Sequence, residues 1–190
     1  MPASRRHHRF SLEQYLEFEF DHVEKFEFVD GEIVAMAGAS PQHNVVVSNI
    51  TAALHGLFAG RGRVLGSQQR IATADGLHTY PDVLVVCGKM VLVQYKSTHT
   101  LHFPSMLVEV LSPSTRDYDL GEKLERYQTI PTLQDVLLIE ADRPDVRHVR
   151  RTAEGWETRR FRAIEDVIDL AGVTLPLAVI YADVPEADLG

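Results

Sequence analysis

The stretch Ser105 to Leu111, SMLVEVL, constrains the fold more than any other part of the chain. It is apolar at nearly every position, so it has no side suited to water. A strand of this kind must be covered on both faces, as at the centre of a sheet flanked by helices. One residue breaks the pattern. Glu109 puts a carboxylate inside an element of buried type, which is costly unless the charge is paired or binds a metal. The expected fold class is therefore α/β or α+β with a mixed sheet, and something must answer the charge of Glu109.

The flanking layers can be read from spacing. Ser11, followed three residues later by Gln14, has the form of a capping box, and Leu12, Tyr15 and Leu16 continue at helical spacing, which predicts an opening helix. Phe26 to Val34 reads as a hairpin turning on Asp30-Gly31. Between Pro41 and Phe58 the positions Val46, Val47, Ile50, Ala53, Leu54, Leu57 and Phe58 mark an amphipathic helix that ends near Gly60. Strands are expected over Arg63 to Ala72 and Tyr80 to Cys87, joined through Asp75-Gly76, whereas Lys96 to Pro104 reads as a loop. A second long helix should run from about Asp117 or Asp119 to Gln128 and stop before Pro131. Leu133 to Ile139 then reads as a strand, and Val146 to Arg151 with Trp156 to Phe161 as a hairpin turning at Glu154-Gly155. The tail from Val167 to Tyr181 is broken by Gly172 and Pro176 and reads as strand and short helix packed on the core.

The 190 residues are the length of one domain, taken as residues 1–190 with 1–10 as a flexible tail. A hydrophobic share of 45% and a charged share of 24% exclude a disordered chain. No apolar run approaches the ~20 residues that cross a bilayer. Arg5, Arg6 and Arg9 are not followed by the apolar stretch of a secretory signal, so a cytoplasmic location is expected. Cys87, the single cysteine, sits in a strand-like run, which predicts a buried, inert thiol. The net charge of −8 counts against a protein that coats nucleic acid by neutralising phosphates, although a local basic patch or a metal site can still serve.

Two residues bear on how the charge of Glu109 is answered. Asp82 follows Pro81 and opens the run PDVLVV; proline is tolerated at a strand start and not in a strand centre, so Asp82 belongs at a sheet end. Neighbouring strands that each present one acid near such an end could hold a divalent cation, since oxygen ligands suit magnesium and manganese. Taken alone, an aspartate at a strand end is more often simply solvated. On the next helix Leu120, Leu124 and Tyr127 form an apolar stripe with Lys123 beside it, while Glu122, Glu125 and Arg126 fall on the other side. Lys123 can return toward the carboxylates, or snorkel with its stem over apolar surface.

These residues lie in three strings: YPDVLVV from Tyr80 to Val86, VEVLSPST from Val108 to Thr115, and DYDLGEKLERY from Asp117 to Tyr127. With the early hairpin and the strand Val136 to Ile139, they resemble the Uma-two family of restriction endonucleases, within the PD-(D/E)xK superfamily, over nearly the whole chain. The resemblance implies a restriction-endonuclease-like fold, a mixed central sheet flanked by helices, with an N-terminal helix and hairpin. It also implies a magnesium- or manganese-dependent endonuclease acting on DNA, with Asp82 and Glu109 as metal ligands. The usual superfamily motif places lysine two residues after the glutamate, where Leu111 stands here. In this family the lysine has moved to the following helix, which gives Lys123. An acid from the N-terminal part often joins such sites, and Glu27 is the candidate ahead of Glu32. A histidine recurs near the place of His43, so His43 is given a subsidiary contact to nucleic acid against a plain capping or surface role; Arg116 and Gln68 are given the same contact, although alternation does not choose between Gln68 and Gln69. Nucleases of this type often act as dimers, so a homodimer is expected, though no residue names its interface.

The residue types suit hydrolysis of a phosphodiester by water, with Lys123 orienting the water or stabilising the developing negative charge. Two other readings stay open. One is a catalytically inactive nuclease fold that binds nucleic acid or a protein partner, favoured by the displaced lysine and the acidic charge. The other is a hydrolase of small phosphoesters, for which no phosphate-cradling glycine loop is present. His99 and His102 lack the partners of a zinc site. Arg143, Arg147, Arg150, Arg151, Arg159, Arg160 and Arg162 form a basic cluster that either meets a phosphate backbone or pairs across a solvated hairpin.

Overall fold

The computed structural model describes residues 9–36, 38–170 and 172–185. In chain order its elements are α1 (Leu12–Phe20), β1 (Phe26–Val29), β2 (Glu32–Ala35), α2 (Pro41–Leu57), β3 (Arg63–Gly66), β4 (Arg70–Ala72), β5 (His78–Thr79), β6 (Val83–Val86), β7 (Val91–Tyr95), β8 (Thr98–His102) and β9 (Met106–Leu111). After these come α3 (Arg116–Leu120), α4 (Glu122–Gln128), β10 (Asp135–Glu140), β11 (Val146–Thr152), β12 (Gly155–Phe161), β13 (Val167–Leu170), β14 (Val173–Pro176) and α5 (Leu177–Ile180).

β9 and β10, buried at every position, are central strands of a six-stranded sheet ordered β12-β11-β10-β9-β6-β3. They run parallel, in register from Met106 opposite Asp135 to Leu111 opposite Glu140, while their neighbours are antiparallel. A parallel pair needs a crossover, and α3 and α4 supply it. Alternation along the strands sorts the two faces of the sheet. Val83, Val85, Met106, Val108 and Val110 meet Val46, Ile50 and Leu54 of α2, the hairpin β13–β14 and α5. Leu84, Val86, Leu107 and Leu111 meet Tyr127, Ile130 and Leu133 on the opposite face, together with Ile71, Leu77 and Leu101. Glu109 shares the second face, being in step with Leu107 and Leu111.

The second sheet, β2-β1-β5-β4-β8-β7, carries the N-terminal hairpin. Its turn works as the sequence requires: Asp30 and Gly31 both take positive φ, 50° and 87°, as a two-residue hairpin loop demands. The capping box at Ser11 and Gln14 is present in both directions and opens α1. Phe10 donates its N–H to the Gly31 carbonyl, whereas the rest of the expected flexible tail, residues 1–8, lies outside the described residues.

Four expectations change. The single strand expected over Arg63 to Ala72 is two strands in different sheets, because a turn at 66–69 lets β3 pair with β6 and β4 with β5 and β8. The expected loop Lys96 to Pro104 contains β8, which makes a hairpin with β7 through Lys96 at φ 50°. The helix expected up to Gln128 is broken into α3 and α4 at Gly121, whose φ −114° and ψ −104° are not helical. Cys87 is exposed, because the sheet ends at Val86 and leaves the thiol beyond the covered strand. Among the described residues no helix is long and apolar enough to cross a membrane.

Candidate active site

β6 and β9 are antiparallel with Val83 opposite Val108, so one step further Asp82 falls opposite Glu109, on the same face of the sheet. Pro81 ends the pairing there, and Asp82 turns its Oδ2 to the Val110 N–H at 2.8 Å. The same oxygen lies 3.3 Å from Nε2 of His43, in the first turn of α2, where the Ser40 hydroxyl caps the His43 N–H. Burial opposes protonation of His43, but the hydrogen bond to Asp82 and the charges of Asp82 and Glu109 raise its pKa on balance.

Lys123 comes to this point from α4. Its Nζ lies 3.0 Å from Glu109, 3.0 Å from Glu27 on β1 and 3.3 Å from Asp119 on α3. Lys123 is 4% exposed and Glu109 5%, so these charges interact with little screening by water. Tyr127, one turn after Lys123 and also buried, donates its hydroxyl to Oε1 of Glu109 at 2.5 Å. Thr79 on β5 donates to Glu27, and Thr115 to Asp119. Glu109, Glu27 and Asp119 are thus each fixed by a neutral donor as well as by the ammonium.

The electrostatics follow from burial and from the excess of acids. Burial pushes the pKa of Glu109 up to about 8, with Asp82 and Asp119 adding to the rise and Lys123 and Tyr127 opposing it. Burial also works against the charge of Lys123, but Glu109, Glu27 and Asp119 outweigh it and hold the ammonium well above its ordinary pKa. Lys123 is therefore a fixed cation at neutral pH and cannot serve as a general base.

The cluster forms the floor of a cleft of ≈ 830 Å³. Among the described residues that line it, seven carboxylates face two lysines, Lys25 and Lys123. The contacts to Glu109 from Lys123 and Tyr127 fall on Oε1, and those to Asp82 from Val110 and His43 on Oδ2. Oε2 and Oδ1 are the oxygens a cation could take. Among the described residues no three His, Cys, Asp or Glu side chains close around one point as a protein cage would. Two carboxylates suit magnesium, which keeps several waters and takes one or two protein carboxylates together with phosphate oxygens of a substrate.

Asp82, Glu109, Lys123 and Glu27 thus meet, and His43 joins them. Glu32 is exposed on the cleft wall and makes no contact with the cluster. Gln68 is exposed outside the cleft lining, while its neighbour Gln69 donates to the Arg70 and His99 carbonyls. Arg116 also lies outside the lining and is ion-paired with Glu140 at 2.8 Å. The arginine cluster of the β11–β12 hairpin is largely answered by acids: Arg150 pairs with Asp135 and Asp169, Arg159 with Glu157, Arg160 with Asp145, and Arg143 with Asp142. Arg151 donates to three carbonyls and lies over Trp156.

Sequence reasoning missed Asp119, Tyr127, Thr79 and a second buried pair, Arg70 with Glu19. Tyr15 and Tyr80 both donate to Glu19, so this pair ties α1 to the second sheet beside Asp82. The spacing Asp119 to Lys123 to Tyr127, two steps of i, i+4, carried the only available signal for the first two.

Comparison with known proteins agrees with this architecture. Two uncharacterized proteins of Synechocystis sp. are each 34% identical to the chain. One matches over 174 residues, 90% of either chain; the other over 143 residues, 74% of this chain and 80% of that one. A crystal structure of a "putative nuclease belonging to DUF820" from Anabaena variabilis has the same fold, with a TM-score of 0.75 at 17% identity, covering 91% of this chain and 98% of that one. Residues 12–179 match the model of a family described as "Putative restriction endonuclease", and the chain belongs to that Uma2 family.

Proposed function

We propose that this protein is a magnesium- or manganese-dependent endonuclease that hydrolyses DNA phosphodiester bonds. The observation that carries the reading is the convergence of Lys123, Glu109 and Asp82 from three separate elements on one buried point at the base of a cleft. Asp82 and Glu109 would hold the cation. When bound, it would lower the pKa of its water and neutralise phosphoryl oxygens. Lys123, permanently charged, would set its positive charge beside the negative charge that develops on the phosphate. Glu27 and Asp119 act through Lys123, holding its ammonium over the cluster. Tyr127 and the Val110 N–H restrain the carboxylates in the orientation that a shared ion needs.

The test uses closed circles, which have no ends for an exonuclease. Supercoiled plasmid and circular single-stranded DNA are incubated with purified protein and Mn²⁺, and wild type is compared with Asp82→Ala and Lys123→Ala. Each variant should lose ~10²–10³-fold in rate, the usual cost of removing one electrostatic contact to the transition state. Each is also checked for a cooperative melt, because removal of Lys123 leaves buried carboxylates without their cation. Wild type that opens neither circle under any divalent cation would overturn the catalytic reading. The second reading, a nuclease fold that binds nucleic acid or protein without cleavage, draws on the acidity of the cleft and would then be preferred.

A further inference from the structure

We infer, resting on the nuclease reading above, that the cleft takes an unpaired DNA strand, whether a single strand, a flap or a frayed end, in preference to an intact duplex. Three observations carry this. The reacting groups lie on the floor: Glu109 and Lys123 are almost fully covered, so a scissile phosphate must enter the cleft to reach them. A volume of ≈ 830 Å³ is in the range of pockets that enclose one small ligand, a space on the scale of a short run of nucleotides. A lone strand can thread such a space, whereas a duplex is a stiff rod that must be deformed to do so.

Charge points the same way. Duplex affinity comes mainly from neutralising many phosphates with lysine and arginine. Here Lys25 and Lys123 are the lysines of the cleft lining among the described residues, set among seven carboxylates, and the arginine cluster elsewhere is largely engaged by acids. Such a cleft can accept few phosphates beyond the one that reacts.

The lip supplies what the charges do not. Val23, 98% exposed, stands at the cleft with Val34 and Met36, both also exposed, and the ring of Tyr80 lies in the wall under Lys25. Bases in a duplex hide their faces in the stack; an unpaired strand offers them, and apolar or aromatic side chains can pack against them without reading sequence.

The experiment measures fluorescence anisotropy of a fluorescein-labelled oligonucleotide, free and annealed to its complement, titrated with the full chain in Ca²⁺. The single strand should bind at least tenfold more tightly than the duplex. Its affinity should fall gently with salt, with a slope no steeper than about −1.4 in log K against log salt, the value for two lysines at about −0.7 per neutralised phosphate on a single strand. Val23→Ser, uncharged and at a position too exposed to affect folding, should weaken the single-strand complex severalfold and leave any duplex binding unchanged. Equal or tighter binding of the duplex, or a Val23→Ser protein that holds the single strand as wild type does, would overturn the inference. Cleavage in Mn²⁺ is scored separately. A single-strand preference without cleavage sinks the nuclease reading alone, and cleavage without preference sinks this one alone.

Discussion

The floor of the cleft holds more buried negative charge than its one lysine can answer, and the residues respond to this in different ways. Glu109 is pushed up to about 8, chiefly by burial. Its folded-state pKa therefore stands above the unfolded one. The stability it contributes is fully present at and below about pH 4.5 and is lost as pH rises through about 8. Glu109→Gln removes that loss. Without divalent cation its melting temperature should exceed that of wild type by ~2–4 °C per kcal/mol regained at the alkaline end, with no gain at the acid end. Melts across the pH range check this. Tyr127 acts through geometry instead, since by sharing Oε1 of Glu109 with Lys123 it keeps Oε2 available. Tyr127→Phe should leave the fold intact and weaken Mn²⁺ binding about tenfold by calorimetry, the low end of the cost of losing a hydrogen bond that orients a ligand. Glu109 was legible from its strand alone, since a carboxylate among apolar neighbours requires a partner. Asp119 and Tyr127 were not, because each also reads as an ordinary residue of an amphipathic helix.

Secondary elements bring these residues together through local features of the chain. The β1–β2 hairpin aims Glu27, and its turn depends on Gly31 at φ 87°, where an added Cβ would also meet Arg9 Cβ at 3.0 Å. Gly31→Ala should destabilise the protein by ~1–2 kcal/mol, the cost of a left-handed conformation for a residue with a side chain. Denaturant unfolding, read as a lower midpoint at unchanged slope, measures it. At Gly121 the break between α3 and α4 sets off the turn that bears Lys123, and a Cβ there would meet the Asp117 carbonyl at 3.1 Å. Long periodic runs, the Asp-Gly turn and the capping box were all readable. The split at 66–69 and the β7–β8 hairpin were not. The run from Arg63 to Ala72 contains no proline and only Gly66-Ser67 to mark its turn, and the polar Lys96-Ser97 tip resembles a loop until the strands beside it pair.

On the scale of the molecule, the site draws on residues from β1, the start of β6, β9, α3 and α4, which the chain separates by as many as ninety-six positions from Glu27 to Lys123. Beyond the i, i+4 steps from Asp119 to Lys123 to Tyr127, no spacing rule connects them. Only the mixed sheet, with Asp82 opposite Glu109 and the crossover helices laid over that face, closes the distance. The motif strings, more than periodicity, made the set visible beforehand, and the place of Glu27 came from likeness alone. Net acidity, awkward for a nucleic-acid enzyme when read from composition, is concentrated in part at the cleft, where a cation would relieve it. The most direct measurement is the anomalous scattering of Mn²⁺ soaked into crystals of the wild-type protein. A single strong peak is expected at ~2.1–2.2 Å from one carboxylate oxygen each of Asp82 and Glu109, close to the short ligand distances of magnesium-type sites. A protein that takes up no manganese, or holds it away from that pair, would contradict the shared-ion site.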